Sequence, residues 1–462
     1  MSIFTSTVAA ISTPPGKGGV ALIRISGEEA FAVCERVFVP RGKTKLSDIP
    51  PRRATYGDIY LDGKKIDDGM LTLFPAPHSF TGECVAEICC HGGILITKTV
   101  LEAVLVAGAV PAGPGEFTRR AFVNGKLSLT DAEAIGNLLE AKSMAQIALA
   151  SENSRGRLSC EISKISESLT SLLSSIYARI DYPDEDLGEF SDGESREILI
   201  KIQEKIERLI RTYKTGRAVS EGIDAVICGK PNAGKSTLYN LILGEDAAIV
   251  TDLAGTTRDV LTRSAPLGSV LLNLADTAGI RESADEVERI GIERARERIL
   301  SSELVLAVFD LSRPFDADDE EIVNLLSSSE KTVISILNKA DICDTGSVFD
   351  ASRLGPLLKH SLGLSAKSGG AEELARLVEE LFTDGDICIG EDAIVSSARQ
   401  SAALKVALEY IKCAVSAYDA GLAADVASSD AERALGAISE LEGRSAREDV
   451  IADIFAKFCV GK

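Results

Sequence analysis

The stretch Ala225-Val226-Ile227-Cys228-Gly229-Lys230-Pro231-Asn232-Ala233-Gly234-Lys235-Ser236 decides the fold. Its first four residues read as a buried strand. The next eight fit G-x-x-x-x-G-K-[ST], and a helix opens behind them. Glycines at 229 and 234 let the backbone curl until its N–H groups face phosphate oxygens. In that loop Lys235 reaches the β and γ phosphates and Ser236 takes Mg²⁺. Asn232, Ala233, Gly234 and Thr237 complete the phosphate-contacting stretch.

Working outward, apolar strands alternate with helices from Ile223 to about Leu381. Val270–Leu274, Leu304–Phe309 and Val333–Leu337 repeat the unbroken apolar run of 225–228. Strands buried on both sides and separated by helices imply a mostly parallel sheet covered on both faces. Three further signals sit at strand ends. Asp276-Thr277-Ala278-Gly279 offers a carboxylate to hold the metal through water and a glycine N–H for the γ phosphate. Asn338-Lys339-Ala340-Asp341 offers a carboxylate that accepts from both N1–H and the 2-amino group of guanine. Adenine lacks that amino group, so it leaves a buried acceptor unpaired. Ser365-Ala366-Lys367 then falls where a backbone N–H meets guanine O6. A lone N-K-x-D is a common surface loop, but four pieces in this order predict GTP as the substrate.

At 462 residues, the length predicts roughly three domains at about 100–200 residues each. Residues 1–117 read as an α+β domain that closes at Pro111-Ala112-Gly113-Pro114-Gly115. Residues 118–221 begin a helical domain, 222–383 form the nucleotide-binding domain, and 384–462 return to helix. Ile162, Ile165, Leu169, Leu172, Leu173, Ile176 and Ile180 share one helix face, as do Ile202, Ile206, Leu209 and Ile210. The acidic turn 181–186 separates the two. Thr130 and Glu133 have capping-box spacing. Amphipathic helices need partners for their stripes, so both helical blocks are expected to form one bundle with the α/β domain inserted. The fold class is therefore multidomain, α/β and α, preceded by an α+β domain.

Composition narrows the functional classes. The net charge of −20 argues against a protein held to nucleic acid by a broad basic surface, though not against a local groove. Ten scattered cysteines and three histidines, His78, His91 and His360, give no zinc or disulfide framework. The thiols are expected to be reduced and mostly buried, in a cytoplasmic protein. Met1-Ser2-Ile3-Phe4 does not begin a secretion signal, and no apolar run approaches the ~20 residues that span a bilayer.

Ile280 follows Asp276–Gly279, where Ras-like enzymes carry a glutamine that orients water. Another group must place the nucleophile here. The resemblance then becomes specific. Asn232, the run Thr251-Asp252-Leu253-Ala254-Gly255-Thr256-Thr257-Arg258-Asp259 and the tail Phe458-Cys459-Val460-Gly461-Lys462 resemble the MnmE (TrmE) family of tRNA-modification GTPases. So do Pro14-Pro15-Gly16-Lys17-Gly18-Gly19, Arg24-Ile25-Ser26-Gly27, Gly115-Glu116-Phe117-Thr118 and Arg120-Ala121-Phe122. The likeness runs the whole chain.

That resemblance implies a potassium-dependent enzyme, with K⁺ held by Asn232, Thr251, Leu253 and Thr256. It implies Thr257 beside Ser236 at Mg²⁺, Glu288 as the acid that positions water, and Lys235 and Thr257 in catalysis. Hydrolysis would be triggered when two G domains of a homodimer meet. The first domain would bind 5-formyl-tetrahydrofolate through Arg24, Glu87, Lys126 and Lys462. The partner would be the FAD-containing MnmG, in a heterotetramer that modifies wobble uridine U34 of tRNA. From the residues alone, Glu288 reads as a solvated helix charge and Arg24 or Glu87 as surface ion pairs. Cys459 stays open between a reactive thiol and a buried cysteine, and Arg258 and Arg281 between phosphate contacts and surface pairing.

Two other readings remain at this point. A ribosome-assembly GTPase binding rRNA shares Asn232-type loops and the Thr256-Thr257 pair, but typically appends a basic RNA-binding module. A scaffold whose GTPase only controls dimerisation would show cation-insensitive turnover.

Overall fold

The computed structural model describes residues 5–42, 45–182, 190–244, 262–275, 298–342, 349–443 and 448–461. Two compact units divide the chain. One comprises 1–139, 153–202 and 406–462; the other comprises 140–152 and 203–405.

The first unit holds a seven-stranded sheet: β1 (Val8–Ile11), β2 (Val20–Ser26), β3 (Phe38–Pro40), β4 (Thr55–Leu61), β5 (Lys64–Phe74), β6 (Val85–His91) and β7 (Val110–Pro111). Their order is β3-β4-β5-β6-β2-β1-β7. Neighbours run antiparallel except β1 and β7. Along β2, Ala21, Ile23 and Ile25 are buried while Val20, Leu22 and Arg24 are not, the period-two pattern of a sheet with one face in the core. The helices Ala30–Val37 and Ile94–Val106 contribute to the same core, in which Val33, Val100 and Val104 join Ile23, Ile59, Leu71 and Ile88.

Helices of the same unit bury the predicted stripe. In Arg157–Asp181, Ile162, Ile165, Leu169, Leu172, Leu173 and Ile176 are all buried. Each such aliphatic side chain contributes roughly 1.5–3 kcal/mol of transfer free energy, before the opposing chain entropy is counted. Ile180 departs from the expectation: it is 47% exposed, because the stripe runs out in the helix's last turn. Early and late helical segments do pack together. Leu129 and Ala132 share a cluster with Phe455 and Phe458, and Ser163 Oγ donates to Glu442 at 2.8 Å.

The expected cap at Thr130 and Glu133 is also corrected. The helix Leu129–Glu140 is capped two residues earlier, by Ser128 and Asp131. Ser128 N–H donates to Asp131 Oδ2 at 2.9 Å, and Asp131 N–H donates to Ser128 Oγ at 3.1 Å. Thr130 is buried instead, its hydroxyl donating to the Leu441 carbonyl at 3.3 Å. A third correction concerns the thiols. Among the described cysteines only Cys34 and Cys90 are buried; Cys160, Cys388, Cys413 and Cys459 are exposed, and all are free.

The second unit is built on six strands: β8 (Ile223–Gly229), β9 (Thr262–Leu267), β10 (Val270–Ala275), β11 (Leu304–Asp310), β12 (Thr332–Asn338) and β13 (Ser361–Gly363). Their order is β13-β12-β11-β8-β10-β9, parallel except for the β9–β10 hairpin at one edge. Alternate residues feed two separate cores. Ala225 and Ile227 face one cluster, and Val226 joins Val305, Ala307 and Phe309 in the other. That is the two-sided burial expected of a doubly covered parallel sheet. Among the described residues, no helix is long and apolar enough to cross a membrane.

Candidate functional site

Strand register gathers the nucleotide motifs. Gly229, at the end of β8, lies beside Val308 of β11. Asp310 lies beside Asn338, and Leu337 beside Gly363. The carboxyl ends of β8, β11, β12 and β13 thus lie in a row. The strand order reverses at β8, with β11 on one side and β10 on the other. Ligands of open α/β sheets bind at such a reversal, outside the carboxyl ends.

The loop after β8 needs its glycines. Gly229 has φ 142°, Asn232 φ 62° and Gly234 φ 101°. A Cβ at Gly234 would stand 2.1 Å from Asn338 Nδ2, and one at Gly229 would stand 2.4 Å from the Val308 carbonyl. Gly234 caps the helix Lys235–Leu243 with no side-chain hydrogen bond, so that helix start retains free N–H groups for an anion. Lys235 Nζ donates to the Gly229 and Lys230 carbonyls at 2.9 and 2.8 Å. Burial holds this ammonium below the ordinary lysine value, with the Cys228 thiol opposing the shift. A bound phosphate would raise it again. Ser236 and Thr237 are exposed in the first turn.

Asn338, 3% exposed, locks the base side to the phosphate side. Its Nδ2 donates to the Ala233 carbonyl at 2.8 Å, and its Oδ1 accepts from Ala366 N–H at 3.0 Å. One amide therefore fixes the phosphate loop and the Ser365–Lys367 loop together. Lys339 takes φ 67° and its ammonium donates to Asp310 at 2.6 Å. Ala340 N–H donates to the Leu364 carbonyl at 3.3 Å. Asp341 is exposed at the turn that follows.

Residues 251–257 and 276–279 lie outside the described residues, as do Arg258, Ile280, Arg281, Glu288 and Lys462. In the first unit, Arg24 and Glu87 are cross-strand neighbours on β2 and β6. They pair at 2.9 and 2.8 Å, and the Arg24 guanidinium lies 5.7 Å from the ring centres of both Phe80 and Phe117. Lys126 Nζ donates to the Pro77 carbonyl at 3.1 Å. Cys459 is exposed.

The sequence matches two family models. One, described as the GTP-binding protein TrmE N-terminus, covers residues 7–126. The other, described as the MnmE helical domain, covers residues 129–459. The tRNA modification GTPase MnmE of Acetivibrio thermocellus is 38% identical over 99% of this chain and 99% of its own length. The MnmE of Thermotoga maritima is 38% identical over 99% of this chain and 100% of its own. The chain belongs to the MnmE family of tRNA modification GTPases. Among solved structures, Aquifex aeolicus Era bound to GDP·AlF4⁻ matches 41% of this chain and 66% of its own, with 26% identity and a TM-score of 0.27.

For this MnmE-family GTPase, two residues of the nucleotide site escape sequence reasoning. Asp310 anchors Lys339. Burial opposes its charge, but hydrogen bonds from Lys339 and Ser312 outweigh that and hold its carboxyl below the usual range. Lys230 is fastened to Asp316 and Asp318, the former the N-cap of the helix Ala317–Ser327. The hydrogen bond from Lys230 pulls the Asp316 carboxyl down to about 2. The available signal is positional: a carboxylate closing an apolar strand at Phe309-Asp310, and a D-x-x-D cap at Asp316-Ala317-Asp318-Asp319.

Proposed function

We propose that this chain is a potassium-dependent GTPase that acts with an FAD-containing partner of the MnmG type on the wobble uridine, U34, of tRNA. It carries the one-carbon unit of a tetrahydrofolate, such as the 5-formyl form, toward an aminomethyl or carboxymethylaminomethyl group at C5. The working species is a cytoplasmic homodimer, joined by two partner chains in a heterotetramer. What supports the nucleotide half is the Asn338 bridge, which makes guanine recognition and phosphate binding one rigid site.

The residues divide the task as follows. Backbone N–H groups of residues 232–237 and the Lys235 ammonium hold the phosphates, while Asp341 and the Ala366 N–H select guanine. Among the described residues no cluster of His, Cys, Asp and Glu forms a ready metal cage. The cations are shared with the nucleotide: Mg²⁺ would be held at Ser236 and Thr257 with Asp276 through water, and K⁺ at Asn232, Thr251, Leu253 and Thr256. Both cations would supply positive charge where it develops on the phosphates. Glu288 positions the water, whose oxygen replaces the β–γ bridging oxygen on the γ phosphorus and releases GDP and phosphate. Meeting of the two G domains closes residues 251–257 over the site.

The folate reading rests on Arg24 and Glu87. Their pairing leaves a carboxylate that can turn to pteridine N–H groups, next to the aromatic faces of Phe80 and Phe117. Lys126 and Lys462 would meet the glutamate tail.

Steady-state GTP turnover in K⁺ and in Na⁺ tests the proposal. The expected rate is at least about tenfold higher in K⁺, since charge supplied at the transition state commonly contributes more than that. Asn232→Ala should erase the difference. Glu288→Ala should lower kcat by roughly 10²–10⁴ with GTP affinity kept. A constitutive rate indifferent to the cation rejects the potassium reading.

A further inference from the structure

The loop 13–18, the strands β1 and β2 and the first turns of the helix Ile94–Val106 enclose a cavity of about 620 Å³. None of the residues assigned above to GTP, metal or folate lines it. Its size falls within the range of small-ligand sites. The walls are largely apolar, with Ile11, Pro15, Ile94, Leu101 and Pro111 among them. The loop over it is fixed: Gly18 N–H donates to the Gly92 carbonyl and Gly92 N–H to the Gly19 carbonyl, both at 3.3 Å. A Cβ at Gly92 would stand 2.6 Å from the Gly18 carbonyl oxygen, so this approach needs glycine.

Three polar groups in the lining have no protein partner among the described residues. The ammonium groups of Lys17 and Lys98 are exposed and unpaired. Thr97 lines the same cavity, and its hydroxyl makes no hydrogen bond among the described residues. The contrast within the same unit is plain: Thr99 bonds back to the Leu95 carbonyl at 3.0 Å, and Thr7 accepts from Glu29 N–H at 3.1 Å. The Thr97 hydroxyl is therefore open to the cavity.

An apolar cleft, one open hydroxyl and two free cations match a flat heterocycle carrying phosphate. In a chain of net charge −20, unpaired ammonium groups beside a cleft form a local exception that steers a polyanion to this spot. An enzyme acting on a nucleic-acid base must also take a base out of its stack. We propose that this cavity receives one unstacked nucleotide of the tRNA, its base between the apolar walls and its phosphates at Lys17 and Lys98. The Thr97 hydroxyl bonds a base edge. This assignment rests on tRNA being the substrate.

Fluorescence anisotropy of a labelled anticodon stem-loop RNA, titrated with the full chain at several salt concentrations, tests it. A Lys17→Ala, Lys98→Ala double variant should bind about tenfold or more weakly. Its log–log salt slope should be smaller by about 1.4, or ~0.7 for each single-strand phosphate left without its lysine. Thr97→Val should weaken binding with the slope unchanged, and GTP turnover should stay at the wild-type level in every variant. Wild-type RNA affinity and slope in the double variant would overturn the cavity assignment while leaving tRNA as substrate. Failure of the wild type to bind RNA at all would overturn both. Displacement of the RNA by free UMP at RNA-like concentrations would make this a free-nucleotide site and overturn the assignment to tRNA.

Discussion

Asn338 does at the scale of one residue what the nucleotide site needs as a whole. Its amide saturates a carbonyl of the phosphate loop and an N–H of the 365–367 loop, both buried. Asn338→Ala leaves two buried groups unpaired, at roughly 1–3 kcal/mol each. Urea unfolding should show that loss, and GTP affinity should fall with it. Asp341→Asn should act differently, changing specificity rather than stability. A side-chain amide can donate to the 2-oxo group of xanthine but cannot accept from the 2-amino group of guanine in the way a carboxylate does. Xanthosine triphosphate should therefore compete better than GTP in a displacement assay; retained GTP preference contradicts the base assignment. At Lys235 the sign is set by burial, which lowers its value in the empty loop. Phosphate raises it again, so GTP binding at alkaline pH should take up protons. Calorimetry in buffers of different ionisation enthalpy would reveal that uptake. Sequence spacing names Asn338 and Asp341 but not the bridge, because a hydrogen bond between residues 105 apart is set by strand order and leaves no local trace. Asp310 escapes for the same reason.

Among the elements, those with strong periodicity are legible and those held only by neighbours are not. The four apolar strands 225–228, 270–274, 304–309 and 333–337 all recur within β8, β10, β11 and β12. β9 is hard to read because Thr262-Arg263-Ser264-Ala265-Pro266-Leu267 is polar and contains proline, which an edge strand tolerates. It exists because β10 pairs with it across the turn at Gly268, φ 62°. The helix cap lies at Ser128 rather than Thr130 although both fit the spacing, since Asp131 reaches back to the Ser128 N–H. Ser128→Ala should cost about 1 kcal/mol in urea unfolding. Asp131→Ala should cost more, for Asp131 also accepts from Ser159 Oγ. At the phosphate loop, Gly234→Ala meets both a φ of 101° and the Asn338 amide. GTP binding should be lost there well before the fold is. Equal GTP affinity in this variant would mean that the loop does not hold the phosphates.

For the molecule as a whole, the chain divides into two compact units, and the long-range order of motifs is readable because it needs no contacts. A phosphate loop, a metal-side D-x-x-G, an N-K-x-D and an S-A-K in succession can only serve one nucleotide if β8, β11, β12 and β13 lie side by side. They do. The roles of residues 251–257, of Glu288 and of a partner are tested by the K⁺ and Na⁺ turnover rates. The strand ends themselves are the place where this fold would grip a guanine triphosphate. Isothermal titration of the full chain with GTP and then ATP, in Mg²⁺, tests it most directly. GTP should bind at one site per chain and ATP at least about 10³-fold more weakly, since adenine offers the Asp341 carboxylate neither the N1–H nor the 2-amino donor of guanine. Equal affinities, or no heat with either nucleotide, would contradict it.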